Sequence, residues 1–351
     1  KAIEAEGITP PAEIIADGEI HRFDSDNSGK SNGAYILHSD EPQSGWFKCW
    51  KTGTENTWSR GYYETDPEKR EQFQKLIKQR TQERTVKILE LHKKAAIKAS
   101  AEYQDAKSAD PDHPYLKRKQ IKPYRIRQDL KNGNLIIPIN SKDGEIISRQ
   151  TINKEGDKYF LTDGQVKGGY FDLGESNESI VICEGFATGA SIFEASGYRV
   201  RCVFNCLNLK EVAITTREEY PKAHIIIAGD DDHNTKGNPG RTKAIESASS
   251  IDASVVFPDF GENRTEKATD FNDLHCLKGV EAVMACFNSL LKKPIKNTVT
   301  AINGVFEKDS SNGSQTWPIP KPLPDAQSPP PPLDPDILPQ PLADFAKAAA
   351  L

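Results

Sequence analysis

Three consecutive aspartates, Asp230, Asp231 and Asp232, follow directly on the apolar run "HIIIAG". A run this short and this apolar reads as a buried strand. The two-residue period of a strand puts Asp230 and Asp232 on one side and Asp231 on the other. A second carboxylate holds the equivalent place after another apolar run, "SIVIC", where Glu184 precedes Gly185, a residue able to turn sharply into a helix. A third acidic segment, "TDFNDLH", carries Asp270 and Asp273. Two carboxylates about 5 Å apart repel by roughly 3 kcal/mol at an effective dielectric of about 20, so clustering them without a cation is unfavourable. Hard divalent ions relieve that repulsion, and Mg²⁺ typically takes one or two protein carboxylates and completes its shell with water and phosphates. A pair of such ions can hold both the attacking and the leaving oxygen of a phosphoryl transfer. By itself the aspartate triplet reads as an acidic surface loop or a helix cap. With Glu184 at a second strand end, the metal reading is the stronger one.

These carboxylates need a scaffold, and the sequence from Ser179 onward describes it. "SIVIC", "YRVRCVF", "AHIIIAG" and "ASVVFP" alternate with the helix-like segments "FATGASIFEAS", "LKEVAITTREEY" and "RTKAIESASS", with a last helix near 278–292. Such alternation predicts βαβ units with right-handed crossovers and a parallel sheet. Open sheets of this kind bind ligands at the carboxyl ends of their strands, where Glu184 and Asp230 fall. Upstream, "NGNLIIPINSKDGEIISRQTINKEGDKYFL" predicts antiparallel strands turning at Asn132-Gly133, Asp143-Gly144 and Glu155-Gly156. Residues 66–108 predict one long helix or two, entered through Asp66-Pro67, with a thin apolar stripe that includes Phe73, Ile77, Ile88 and Leu91. The first 63 residues, with "AYILH" and "GWFKCWKTG", predict a small β-rich module. The fold class is multi-domain α/β, divided as 1–63 (β-rich module), 64–108 (helical), 109–178 (basic α+β), 179–294 (parallel α/β) and 295–351 (a proline-rich tail).

Composition sets further bounds. The 351 residues carry a net charge of −5 and no apolar run long enough to span a bilayer, and no secretory signal opens the chain. The six cysteines include no C-x2-C pair, so they read as reduced core residues of a cytoplasmic protein rather than zinc ligands. Charge is segregated: His113–Lys131 holds seven Lys and Arg against one Asp, which suggests a basic groove beside an acidic site.

"VICEGFATGASI", "IIIAGDDDHN", "GNPGRTKA" and "ATDFNDLH", in this order, resemble a Toprim domain. More closely they resemble the primases of conjugative plasmids, phages and related mobile elements. The upstream segments "HPYLKRKQI", "LIIPI", "DGEIISRQTI" and "GDKYFLTDGQVKGGYF" extend the likeness over roughly 110–293. The resemblance implies that Glu184, Asp230 and Asp232 form a catalytic centre for Mg²⁺ or Mn²⁺. Asp231, Asp270 and Asp273 are candidates for supporting roles, with helix capping the competing role for the last two. It also implies a DNA primase that makes short RNA primers from nucleoside triphosphates on a single-stranded DNA template. A metal-dependent nuclease and a non-catalytic DNA-binding module are the alternatives.

Lysines and arginines mixed with aromatic rings can hold such strands through phosphates and stacking. The candidates are Lys117, Arg118, Lys119, Arg125, Arg127, Arg149, Lys158 and Lys167. Arg241 and Lys243, near a helix start, are candidates for phosphate. Lys158 sits near a hairpin turn and ranks lower. The N-terminal module departs from replicative primases, which carry a zinc ribbon there, since Cys49 is the only cysteine before Cys183. Eleven prolines between 318 and 341 predict an extended tether, resembling the junction to a helicase module in primase–helicases.

Overall fold

The computed structural model describes residues 1–39, 43–59, 67–235 and 237–291. The tail from 295, the tether read into it and the cap expected at Asp66 lie outside the described residues.

After a short helix α1 (Ala2–Ala5), strands β1 (His21–Phe23), β2 (Gly33–His38), β3 (Ser44–Cys49) and β4 (Glu55–Ser59) form an antiparallel meander in that order. Tyr35 pairs with Phe47, and both turn inward with Phe23, Cys49, Ile3 and Ile8. Ala34, Ile36 and Trp46 alternate onto the opposite face. Cys49 is thus a core residue, hydrogen-bonded to Ser25 at 3.2 Å.

The long segment is a single helix, α2 (Pro67–Asp105). Its apolar stripe ends in Ala95 and Ala99, which pack on Leu161 and Ile146. The Arg127 guanidinium donates to the carbonyls of Tyr103, Gln104 and Ala106, satisfying the end of the helix. There follow β5 (Lys107–Ser108), α3 (Pro114–Lys119), β6 (Arg127–Gln128), β7 (Leu135–Asn140), β8 (Ile146–Ile152) and β9 (Lys158–Phe160). The five strands form a second antiparallel sheet in sequence order, so β9 is an edge strand. Gly133, Gly144 and Gly156 occupy its turns, all at positive φ.

The third sheet comprises β10 (Phe171–Leu173), β11 (Ser179–Cys183), β12 (Arg199–Cys202), β13 (His224–Ala228) and β14 (Ser254–Val256), in the order β10-β12-β11-β13-β14. All pairings are parallel except β10–β12. Helices α4 (Phe186–Ser196), α7 (Phe271–Lys278) and α8 (Val280–Leu291) cover one face, and α5 (Leu209–Glu219) and α6 (Pro239–Ser250) cover the other. Val181, Cys183, Ile226 and Ala228 point to the first face, and Ile180, Ile182, Ile225 and Ile227 to the second. A parallel strand covered on both faces must be apolar throughout, which is why these runs are unbroken.

Two elements differ from expectation. The segment "FDL" falls within the expected 109–178 subdomain, yet as β10 it forms the antiparallel edge of the parallel sheet. Its Asp172 pairs with Arg199 and Arg201 of β12. Arg201 is fully buried, also bonds Glu219 at 2.9 Å and lies 4.1 Å from the Tyr170 ring centre. Such pairing offsets the desolvation of a buried charge. The segment around Asp270 starts a separate helix, α7, and Gly279 divides it from α8.

Candidate active site

Parallel register places Cys183 beside Ala228 on adjacent strands β11 and β13. With β12 on the other side of β11, this gap is the point where chain direction across the sheet reverses, the usual ligand crevice of open α/β sheets. Glu184 and Asp230 emerge there. Helix α4 starts at once because Gly185 caps it, and it lies close on the sheet because Gly189 has no side chain. A Cβ at Gly189 would stand 2.3 Å from Cys202 Sγ. On the other side Gly240, in the first turn of α6, donates its N–H to Asp232 Oδ2 at 3.1 Å. A Cβ there would approach the same oxygen to 2.8 Å.

The aspartate triplet alternates as its strand does. Asp231 engages Arg264 at 2.5 Å, Asn238 at 2.7 Å and Arg241 at 3.7 Å. Burial pushes its carboxyl up, but Arg264 and Asn238 outweigh this and hold it below the usual range. Asp231 is therefore a bracket tying the loop to Arg264. Asp230, Asp232, Glu184 and Asp270 form the charged cluster. Burial, then the negative charges of Asp232 and Asp270, push Glu184 up to about 7. Burial, then Glu184, Asp270 and Asp232, push Asp230 well above the carboxylate range. Asp270 is raised by burial and by Asp273. These two aspartates also make the capping box of α7, so capping and membership of the acidic cluster coincide.

Glu184 Oε1 and Asp230 Oδ1 are shielded from solvent and have no hydrogen-bond partner. Buried oxygens without partners are rare enough to need a reason, and either a proton or a bound cation would relieve the mutual repulsion. Among the described residues, no group of three or more His, Cys, Asp and Glu side chains is arranged to hold a metal ion. Oxygen donors that leave part of the shell to water and phosphate suit a hard divalent ion rather than zinc.

The expected cations divide into two sets. The guanidinium groups of four arginines serve the fold. Arg118 donates to the carbonyls of Lys154 and Glu155, Arg125 to Asp172 O at 2.7 Å, Arg127 to the end of α2, and Arg149 pairs with Glu102. Arg241 lies over the Phe257 ring at 4.1 Å, near Asp231. Lys117 pairs with Asp112 at 2.8 Å and Lys167 with Glu211 at 3.6 Å, both largely exposed, and the half-buried Lys243 pairs with Glu246 at 2.8 Å. Lys119 reaches Asp273 at 3.4 Å. Lys158, ranked lower by its hairpin position, stands beside the cluster, as Lys119 does through Asp273. Its Nζ lies 3.8 Å from where a Cβ of Gly185 would be, and its charge lowers Glu184, Asp230 and Asp270 alike.

Sequence reasoning missed two residues. Phe204 donates its N–H to the Glu184 carbonyl at 2.6 Å from a left-handed backbone, φ 74°. Asn208 is buried and ties the 166–169 loop to the site, bonding Val166, Gly168, Gly169 and Val203. No property of a lone Phe or Asn in "VFNCLN" signals either role.

The family model of the Toprim domain matches residues 179–281, and the chain carries that domain. Proteins of this family use divalent metal ions. The chain is 31% identical over 275 residues to a DNA primase TraC of Escherichia coli, covering 74% of this chain and 26% of that protein. A second Escherichia coli DNA primase TraC is 31% identical over 259 residues, covering 70% of this chain and 18% of that protein. The chain thus spans about a quarter or less of the curated relatives' length. Among solved structures it is similar to the primase fragment of the bacteriophage T7 primase-helicase protein, at 15% identity and a TM-score of 0.39, over 76% of this chain and 98% of that one. The Aquifex aeolicus primase, with its zinc-binding and RNA polymerase domains, is similar at 15% identity and a TM-score of 0.41, over 75% and 80% of the two chains. Among the described residues, no helix is long and apolar enough to cross a membrane.

Proposed function

We propose that this chain is a DNA primase, a nucleotidyltransferase that makes short RNA primers from nucleoside triphosphates on single-stranded DNA. One observation carries the reading: two buried, unpartnered carboxyl oxygens, from Glu184 and Asp230, at adjacent strand ends of a Toprim domain. Similarity to the TraC primases supports the choice of priming over other phosphoryl transfers.

Glu184, Asp230 and Asp232 would hold Mg²⁺ or Mn²⁺. Bound there, the metal would stabilise charge developing on the phosphate oxygens and lower the pKa of an attacking hydroxyl. Lys158 would hold the triphosphate by charge. Gly240 fixes Asp232 through its N–H, and Phe204 fixes the Glu184 backbone. A primer 3′-hydroxyl attacks the α-phosphorus, the new O–P bond forms as the bond to pyrophosphate breaks, and the hydroxyl proton leaves to a carboxylate or to water. Lys117, Lys119, Lys167 and Lys243 would contact phosphates of template or nucleotide after exchanging their carboxylate partners. A helicase module, in the same chain or another, is the expected partner, and the cytoplasm the expected site of action.

The test is incubation with single-stranded template, labelled nucleotides and Mg²⁺ or Mn²⁺. New short RNA is the expected product. Shortened DNA would mean a nuclease, and a mobility shift without either product would mean a DNA-binding module.

A further inference from the structure

Phe160 keeps 41% of its surface exposed although it is a large apolar ring beside a charged cluster. It belongs to edge strand β9, beyond which the sheet adds no further strand among the described residues. The two-residue period puts Phe160 on the same face as Lys158, whose amine stands over the Glu184–Gly185 turn. Tyr159 alternates to the other face, where Lys30 of the N-terminal module lies 5.5 Å from its ring centre. Phe160 meets Phe204 edge to face, with ring centres 6.3 Å apart and planes at 80°. Phe204 is itself buried and held at φ 74°, a conformation unfavourable for a phenylalanine, while its N–H bonds the Glu184 carbonyl. Strain of this sort persists where surrounding structure enforces it, and it gathers at functional sites. One rigid unit thereby links an exposed aromatic face to the backbone of a candidate metal ligand.

We propose that Phe160 is a base-stacking residue, whose exposed face receives a nucleobase of the strand or nucleotide bound at the Glu184–Asp230 site. The inference rests on the reading of that site as a nucleotidyltransferase centre. Every base has an apolar face, so the ring would position a base without selecting its identity. Lys158, two residues away on the same face, would take the phosphate of the same nucleotide.

The test compares the full chain with Phe160→Ala, Phe160→Leu and Phe160→Tyr in primer synthesis. KM for template and KM for nucleoside triphosphate are measured separately, and thermal melting serves as the folding control. Phe160→Ala and Phe160→Leu should raise one of the two KM values by about tenfold with kcat within about twofold of the parent, for all four bases alike. Phe160→Tyr should behave as the parent, because it keeps the aromatic face. A raised template KM assigns the base to the template, and a raised nucleotide KM assigns it to the incoming nucleotide. If the alanine and leucine variants keep both parental KM values, or if tyrosine fails with them, the stacking role is wrong while the primase reading stands. If the parent makes no RNA and binds no oligonucleotide, the primase reading fails and the stacking role with it.

Discussion

At the scale of single residues, the proposed chemistry turns on buried carboxylates whose mutual repulsion Lys158 offsets only in part. Glu184 has a folded pKa of about 7, above its ordinary value of 4.5. A group whose pKa rises on folding contributes stability that is complete below the unfolded value and lost as pH rises through the folded one. Metal-free protein should therefore lose stability between about pH 4.5 and pH 7, by on the order of 3 kcal/mol for this group. Thermal melts in chelator across that range check the loss, and Mg²⁺ or Mn²⁺ should reverse it above pH 7. Asp230→Asn removes a group that would otherwise have to ionise inside the cluster, so without metal it should melt at or above the parental temperature, the more so at high pH. A variant that melts well below the parent would show that the ionised Asp230 stabilises the fold. The sequence made these residues legible because strand ends, periodicity and residue type coincide there. It gave no sign that Lys158 stands beside them, because proximity across two sheets leaves no trace in local spacing.

At the scale of elements, pairing decides which charged side chains are free. Asp172→Ala should destabilise the protein by roughly 3 kcal/mol, because it leaves the fully buried Arg201 with only Glu219 as its charged partner. Denaturant titration measures this, and a change below about 0.5 kcal/mol would mean that β10 is held by other interactions. The parallel strands and helices α4, α5 and α6 were readable from uninterrupted apolar runs alternating with amphipathic ones. Strand β10 was not, since three residues carry no period and its place depends on Asp172 finding Arg199 and Arg201 in β12. The same limit applies to the basic residues. "HPYLKRKQIKPYRIRQDLK" announces charge, but only the fold shows Arg127 closing α2 and Arg118 holding the β8–β9 turn.

At the scale of the whole molecule, an acidic crevice stands beside lysines on α3, β9 and the adjoining loops. Neutralising Lys117, Lys158 and Lys167 together should weaken binding of single-stranded DNA and reduce its salt slope by about 2, at roughly 0.7 for each phosphate that a lysine no longer neutralises. An unchanged slope in a salt titration would place the strand elsewhere on the surface. The most direct measurement is template-directed synthesis of RNA from labelled nucleoside triphosphates by the full chain and by Glu184→Gln. A metal-dependent primase built on Glu184 and Asp230 should give short RNA from the parent in Mg²⁺ or Mn²⁺, none in chelator, and none from a Glu184→Gln protein that melts no lower than the parent. Primer synthesis by Glu184→Gln at the parental rate would contradict it.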